Sequence, residues 1–406
     1  MPLWSVIPFV LMLVAIAVLP LVREHWWEKN ANKLLVSAIL GAPIGAWILY
    51  VSPGELANVC LEYLSFMCLL GSLYIISGGI VLRGDLRATP AVNTAFLAVG
   101  AVLASFMGTT GAAMLLIRPL LKTNSERAHK VHTVVFFIFL VANIGGCLTP
   151  LGDPPLFMGY LRGVPFAWTL RLWPEWLFAV ATLLGVYYLW DARRWAQESD
   201  AAKRLDATMI EPLRLSGGVN IPLLLGVVAA VAFGASAPHG VREVVMLALA
   251  GASLRLTPRA RRVENGFTFG PIVEVAALFA GIFLTMIPAL LILEHHGAEL
   301  GVTHPSEYFW ASGMLSSFLD NTPTYVVFYE LAHTSFPGGV PDDILAGLSL
   351  GAVFMGANTY IGNGPNFMVK AIAEGAGVKM PTFGGYMLYA VSVLIPVFVA
   401  LTLIFF

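Results

Sequence analysis

The segment 143–155 interrupts an apolar run that is long enough to cross a membrane. It reads Asn-Ile-Gly-Gly-Cys-Leu-Thr-Pro-Leu-Gly-Asp-Pro-Pro, and apolar sequence extends from Val131 before it to Tyr160 after it. Proline removes a backbone donor and clashes with the preceding turn, so an α-helix cannot pass undisturbed through these prolines. Unpaired backbone groups are tolerated at membrane depth only where they face protein or a water-filled cavity. The segment therefore predicts a broken membrane helix with Asp153 at the break.

Asp153 lies near the middle of this interrupted run. A charged side chain at the bilayer centre costs about 2.5–3.5 kcal/mol on insertion scales, and such residues commonly mark ion or substrate pathways. The alternative is a capping role, because an aspartate at a helix start accepts hydrogen bonds from free N–H groups. The two roles are compatible, and we predict that Asp153 belongs to an ion or substrate site.

The composition is that of a membrane protein. The chain is 58% hydrophobic and 12% charged, with a mean hydropathy of +0.80, whereas soluble domains carry about 25% charged residues. Several apolar stretches reach the roughly 20 residues that a spanning helix needs. The three cysteines, Cys60, Cys68 and Cys147, stand in apolar sequence without metal-ligand spacing. We expect them to be buried apolar residues.

The hydropathy pattern predicts an all-α polytopic membrane protein. The expected helices cover 2–22, 34–51, 62–82, 131–160, 166–190, 219–236, 241–256, 270–293, 343–378 and 382–405. The helix at 343–378 is also broken, by Asn-Thr-Tyr-Ile-Gly-Asn-Gly-Pro-Asn at 358–366. Two further segments, 90–121 and 306–333, have polar centres and flanks too short for a crossing, which suits re-entrant hairpins.

The two halves of the chain repeat this order. Residues 104–110 align with 316–322, and residues 152–155 align with 362–365 at nearly the same spacing. Each half has five helices and one hairpin, and an odd number of crossings inverts the second half, as in transporters with paired broken helices. The expected units are a first inverted-repeat half, a cytoplasmic linker and a second half, at 1–194, 195–218 and 219–406.

The basic residues separate by side under this helix order. Most arginines and lysines fall on one side, including those in 122–130 and 193–204, whereas the other side has chiefly Arg162, Arg171 and Arg242. The positive-inside rule makes the first side cytoplasmic. Both termini are then external, and the two hairpins open from opposite sides.

Three phrases resemble the ion transporter superfamily, in particular its bacterial sodium/proton antiporter branch of NhaD-type and related "putative citrate transport" proteins. They are Leu-Thr-Pro-Leu-Gly-Asp-Pro-Pro-Leu-Phe-Met-Gly-Tyr at 148–160, Asp-Asn-Thr-Pro at 320–323 and Leu-Phe-Ala-Gly-Ile-Phe-Leu at 278–284. The resemblance covers the chain from about Glu62 onward. It implies an inverted-repeat fold, a homodimer, elevator-type alternating access and a place in the bacterial inner membrane.

The hairpin tips depart from one part of that superfamily. Its dicarboxylate carriers have Ser-Asn-Thr at both tips, whereas this chain has Gly-Thr-Thr at 108–110 and Asp-Asn-Thr at 320–322. This departure argues against a dicarboxylate substrate.

The tips and breaks offer the oxygen ligands that suit a hard cation such as Na⁺. The first expected site consists of Asp153, Thr109, Thr110, Asn143 and Thr149. Its pseudo-symmetric partner consists of Asp320, Asn321, Thr322, Asn358 and Asn363. Asp153 and Asp320 are the main Na⁺ candidates, with helix capping as the alternative for each.

Other titratable residues have simpler interpretations. Glu62 and Glu274 begin apolar helices, where carboxylates near the membrane surface are as well explained by the helix dipole. His129 and His132 flank the start of the first broken helix, and we expect a surface position rather than pH sensing. The pair 295–296 is expected in a solvated external loop.

These features predict a secondary transporter, first of all a Na⁺/H⁺ antiporter that carries Na⁺ and H⁺ by alternating access. The sequence shows no nucleophile–base pair and no metal cluster, and we expect no enzymatic activity, no cofactor and no nucleic-acid partner. Residues 362–365 lack the preceding strand and the Gly-Lys-Ser/Thr of a phosphate loop, which argues against an ATP-driven pump. The alternative is a cation-coupled carrier of citrate or another organic anion, whose carboxylates would bind half-helix N-termini. Two site aspartates would repel such an anion unless cations neutralised them. A channel-like or structural membrane scaffold is the alternative from another class, and paired breaks with carboxylates argue against it.

Overall fold

A computed structural model of the chain describes residues 1–208, 210–234 and 240–406. The all-α polytopic class is confirmed, because eight of the described helices are long and apolar enough to cross a membrane. These eight differ from the ten helices expected from hydropathy. The first arm of the segment 90–121 is long enough to qualify, whereas the second broken helix and the helices near 220 and 241 fall short.

Up to residue 196, the described part of the chain forms eight α-helices longer than one turn and one strand. These are α1 Ile7–Val22, α2 Asn30–Val51, α3 Pro53–Ser77, β1 Val81–Asp85, α4 Pro90–Met107, α5 Thr109–Thr123, α6 Val131–Leu140, α7 Pro154–Leu161 and α8 Trp173–Ala196. A 3-10 turn, Ile144–Leu148, stands between α6 and α7. We call α4 with α5 the first hairpin, and α6 with this turn and α7 the first broken helix.

The later described residues form a second set of elements after a short connection. They form α9 Asp200–Thr208, β2 Glu211–Ser216, α10 Asn220–Phe233, α11 Val241–Leu256, α12 Arg259–Glu264, α13 Gly270–His296, α14 Pro305–Ser316, α15 Asn321–Ser335, α16 Asp342–Phe354, α17 Gly364–Gly375 and α18 Phe383–Phe405. A 3-10 turn, Met355–Asn358, stands between α16 and α17. We call α14 with α15 the second hairpin, and α16 with this turn and α17 the second broken helix.

The third helix differs at both ends from the expected range 62–82. It begins at Pro53, directly after Ser52, because proline is preorganised for the first helical position. Glu55 in the first turn complements the positive end of the helix dipole. The helix ends at Ser77, and the residues after it turn into a strand.

A small sheet joins the two parts of the chain, which the helix-only expectation missed. β1 pairs antiparallel with β2, with Val81 opposite Ser216 and an irregularity between Arg83 and Asp85. The intervening Gly84 has a φ of 136°, a value that favours glycine. The segment expected to be only a cytoplasmic linker, 195–218, thus contains α9 and β2 and is tied to the end of α3.

Both broken helices lie in the protein core. All residues from 132 to 147 are buried, as are all residues from 347 to 357. The interrupted backbone therefore faces protein, as membrane depth requires. Of the cysteines, only Cys147 is buried, whereas Cys68 is half-buried and Cys60 is exposed, so the expectation of burial was wrong for Cys60.

The helices pack in two groups. One consists of α1, α2, α3, α10, α11 and α13, and the other consists of the hairpins, the broken helices, α8 and α18. The groups meet where α13 packs on α15 and where α3 packs on α5 and α7. The second group holds both hairpin tips and both breaks together.

Candidate functional site

Asp153 stands at the break of the first broken helix and is completely buried. It precedes α7 at the capping position, but its side chain makes no capping hydrogen bond. Instead its Oδ1 atom accepts from Thr109 Oγ1 at 3.1 Å and from Asn363 Nδ2 at 3.3 Å. Its Oδ2 atom accepts from Asn321 Nδ2 at 2.8 Å. The capping interpretation is therefore wrong for Asp153.

All of these donors are neutral hydroxyl or amide groups. Among the described residues, no lysine, arginine or histidine forms a hydrogen bond with Asp153. A buried carboxylate without a cationic partner is costly when charged, and a proton or a bound cation removes that cost. The surroundings of Asp153 thus suit a group that holds either a proton or a hard cation.

Hydrogen bonds between asparagine side chains connect the two breaks next to the Asp153 carboxylate. Asn363 Nδ2 also lies 3.2 Å from Asn143 Oδ1, and Asn143 Nδ2 donates to Asn366 Oδ1 at 2.6 Å. Asn366 Nδ2 donates in turn to the carbonyl oxygens of Gly356 and Thr359, at 2.8 and 2.9 Å. Asn366 was not among the expected site residues. The sequence could have indicated Asn366, because a residue three positions after Asn363 lies on the same face of α17.

Backbone contacts hold the first hairpin tip against the break. Thr109 N donates to Gly152 O at 2.9 Å. Gly152 in turn lies so close to the 3-10 turn that a Cβ atom on it would be 2.1 Å from Gly146 O. A larger residue at 152 would therefore force this residue away from the 3-10 turn within the break itself.

Threonines hold both breaks in the same way. The Thr149 hydroxyl donates to Ser105 O on the first hairpin, and the Thr359 hydroxyl donates to Ser317 O beside the second. Thr149 Oγ1 also accepts from Leu151 N at 3.2 Å. The expected ligand Thr149 therefore makes structural bonds in this arrangement and is not hydrogen-bonded to Asp153.

Asp320 occupies a different setting from Asp153. It caps α15, where its Oδ1 atom accepts from Thr322 N at 3.0 Å. Two oxygens of the same expected set are buried without a hydrogen-bond partner among the described residues, namely Thr322 Oγ1 and Asn358 Oδ1. Such oxygens are acceptors that a cation would satisfy. Thr110 is half-buried in the first turn of α5.

The sequence analysis assigned the expected residues to two separate sites, one around Asp153 and one around Asp320. The structure groups these residues differently. Asn321 and Asn363, assigned to the Asp320 set, donate to Asp153. Ser316 Oγ donates to Asn321 Oδ1 at 2.7 Å and so orients this amide toward Asp153. The resulting centre is built by both parts of the chain.

A buried ion cluster near the start of α6 was missed. Arg127 donates to both carboxylate oxygens of Asp191, at 2.6 and 3.0 Å, and His132 Nε2 lies 2.8 Å from the same carboxylate. All three side chains are buried, and the His132 ring stacks on Tyr187 and Trp190. The expected surface position of His132 was therefore wrong. The cluster ties the loop after α5 to the end of α8.

The other carboxylates and histidines make simpler contacts. Glu62 pairs with Arg162 at 2.9 Å between α3 and α7, and Glu274 pairs with Lys33 at 2.7 Å. The pair 295–296 lies in the last turn of α13 and is exposed, so it is solvated but not in a loop.

The fold and the buried polar centre define a multi-pass membrane transporter. The model of the family described as "Putative citrate transport" matches residues 1–406. The chain therefore belongs to this family. No curated protein matches the chain.

Proposed function

We propose that this protein is a cation-coupled secondary transporter that exchanges Na⁺ for H⁺ at Asp153. The observation that carries the proposal is a fully buried carboxylate with three neutral donors. A protonated carboxyl group has lost the negative charge that attracts a cation. The proton and Na⁺ therefore compete for this carboxylate. Competition at one site that faces each side of the membrane in turn couples the two fluxes in opposite directions.

A second cation position is proposed around Asp320, Thr322 and Asn358. The support is that Thr322 Oγ1 and Asn358 Oδ1 are buried without a hydrogen-bond partner among the described residues, and that Asp320 accepts from Thr322 N. Oxygen atoms in this number and mixture suit Na⁺ better than they suit a thiolate-binding metal. The resemblance to NhaD-type antiporters supports the same two transported ions, Na⁺ and H⁺.

The proposed mechanism uses an inverted repeat with re-entrant hairpins, external termini and elevator-type movement in a homodimer. Its support is the repeated succession of hairpin, 3-10 turn and half-helix, and the packing of both hairpins and both breaks in one group. This group would move against the group that contains α3 and α13. The units 1–194, 195–218 and 219–406 would be the repeat boundaries.

The topology predicts opposite accessibility of two exposed positions. In a background without the native cysteines, Ser125→Cys should react with an impermeant maleimide only from the cytoplasmic side. Gly338→Cys should react only from outside. Both positions are exposed, so the labelling measures sidedness rather than burial. Labelling of both positions from the same side would contradict the inverted arrangement.

Reconstitution in liposomes with an interior pH dye tests the exchange. Na⁺, Li⁺, K⁺ or citrate would be added outside in turn. Exchange predicts that external Na⁺ alone drives protons out and makes the interior alkaline. If none of the three cations changes the interior pH when it is added without citrate, the protein is not a cation/proton antiporter.

The second candidate is a cation-coupled carrier of citrate or a related organic anion, which the family description favours. The N-termini of α7 and α17 would bind its carboxylates, and bound cations would offset the two aspartates. Uptake of labelled citrate that requires Na⁺, together with no Na⁺-driven proton movement, would select this candidate.

Asp320→Asn separates ion binding from capping. Asparagine caps a helix about as well as aspartate, so thermal stability should stay close to that of the wild type. If Asp320 binds a cation, Na⁺-dependent proton efflux should fall strongly and its pH profile should shift. An unchanged profile with near-normal rates would leave Asp320 with its capping role only.

A further inference from the structure

An open chamber of about 570 Å³ lies between α5 and the C-terminal end of α17. Its lining includes three basic side chains, Arg118, Lys122 and Lys130, over an apolar floor that includes Leu121 and Ile372. None of the described lining residues is acidic. The volume falls within the about 300–1,000 Å³ that is typical of small-molecule sites.

Two of the three positive charges face this chamber without a carboxylate partner. Lys122 is paired with Glu211 at 2.6 Å. Arg118 Nη1 donates to Asn265 O at 2.8 Å and Lys130 Nζ donates to Ser125 O at 2.9 Å, and neither forms a salt bridge with a described residue. Both of these hydrogen-bond acceptors are neutral carbonyl oxygens.

Two acidic groups near Lys130 are already engaged. Glu126 Oε1, in the same loop, accepts a hydrogen bond from Ser125 Oγ at 2.8 Å. The Glu198 carboxylate accepts hydrogen bonds from the backbone N–H groups of Ala128 and His129 and contacts the His129 ring. Burial lowers the pKa of the Lys130 ammonium, although Glu126 and Glu198 act in the opposite direction. An anion next to this lysine would stabilise its charged form.

The two helices that line the chamber also carry or follow residues of the candidate site at their N-terminal ends. α5 begins at Thr109 and α17 begins after Asn363, and both of these residues donate to Asp153. Arg118 lies nine residues further along α5, a rise of about 14 Å. The chamber thus lies at the far ends of the two helices whose near ends hold the carboxylate.

We propose that this chamber binds a small polyanion, a molecule with two or more carboxylate or phosphate groups. A guanidinium group binds such oxygens in pairs, and an ammonium group adds a point charge. The ligand could be a free polycarboxylate or phosphate, or the head group of an anionic lipid, since basic pockets between membrane helices bind such head groups. This site goes beyond the proposed exchange and does not depend on it.

Calorimetric titration tests the site on the whole protein in phosphatidylcholine nanodiscs, with citrate and then inorganic phosphate as probes. Arg118→Gln combined with Lys130→Gln should weaken binding by about tenfold or more, because each lost charge-assisted hydrogen bond removes affinity. Arg204→Gln removes one exposed charge on α9 and should leave binding unchanged. Lys130→Arg keeps the charge and should retain binding.

Two further arms identify the ligand and the location. Asp153→Asn should retain the same binding, which places it outside the transport site. In discs that contain phosphatidylglycerol, loss of citrate binding would identify the lipid head group as the occupant, whereas retained binding would identify a soluble anion.

Either of two results would overturn the proposal. One is wild-type affinity in the doubly substituted protein. The other is no binding of citrate or phosphate, combined with equal retention of phosphatidylglycerol by the wild type and the double variant after detergent extraction. The basic residues would then serve only to orient the chain in the membrane.

Discussion

Asp153→Asn should reduce Na⁺-driven proton efflux to the rate of empty liposomes. Asparagine keeps one acceptor oxygen but replaces the other by an amide that cannot take a proton or a Na⁺ ion. The new amide also meets donors, since Thr109, Asn321 and Asn363 all donate to the present carboxylate. One lost buried hydrogen bond costs about 1–3 kcal/mol, so the protein should still fold.

The control is Asp206→Asn. Asp206 is another buried aspartate, and one oxygen accepts a hydrogen bond from Ala88 N at 3.0 Å, a bond that asparagine can keep. It should transport like the wild type. Asp153→Glu keeps a carboxylate in a longer side chain and should retain measurable, pH-dependent exchange. Wild-type exchange by Asp153→Asn would show that the ions are held elsewhere.

Arg127→Gln should destabilise the protein by about 3–5 kcal/mol, because it leaves a buried carboxylate without its bidentate partner. Asp191 would keep His132 at 2.8 Å and a long hydrogen bond from Asn93 Nδ2 at 3.5 Å. Combining Arg127→Gln with Asp191→Asn removes the uncompensated charge and should recover much of the loss. Thermal unfolding of the purified proteins in detergent measures both effects.

Arg87→Gln is the matched control, since Arg87 is an exposed arginine near the same end of the molecule. It should unfold at nearly the wild-type temperature. If Arg127→Gln were as stable as Arg87→Gln, the cluster would contribute nothing to holding the loop after α5 on α8.

The succession of helices, hairpins and breaks was largely predictable from sequence. Prolines and glycines inside apolar runs indicate where a helix cannot continue. The helix is interrupted at these positions regardless of the tertiary packing around them. The start of α3 was misplaced because Ser-Pro-Gly-Glu at 52–55 has the composition of a turn, whereas its proline in fact begins the helix. The β1–β2 pairing could not be foreseen, because the two strands lie far apart in the chain and β2 is polar.

The partners of Asp153 could be predicted only in part. Thr109, Asn321 and Asn363 were all recognised as polar residues at a tip or a break. Which of them meet depends on how the two parts of the chain pack against each other, and no local pattern encodes this. The Arg127–Asp191 pair was hidden for a related reason, since both residues belong to charged segments that hydropathy assigns to the membrane surface.

Proton release upon Na⁺ binding tests the central claim most directly. Purified protein in weakly buffered detergent solution would receive Na⁺ while a pH dye follows the bulk solution, with choline as the control cation. If Asp153 is shared by the two ions, Na⁺ should displace protons from the wild type and not from Asp153→Asn. Equal proton release from both proteins, or none from the wild type over the pH range in which it transports, would contradict this account.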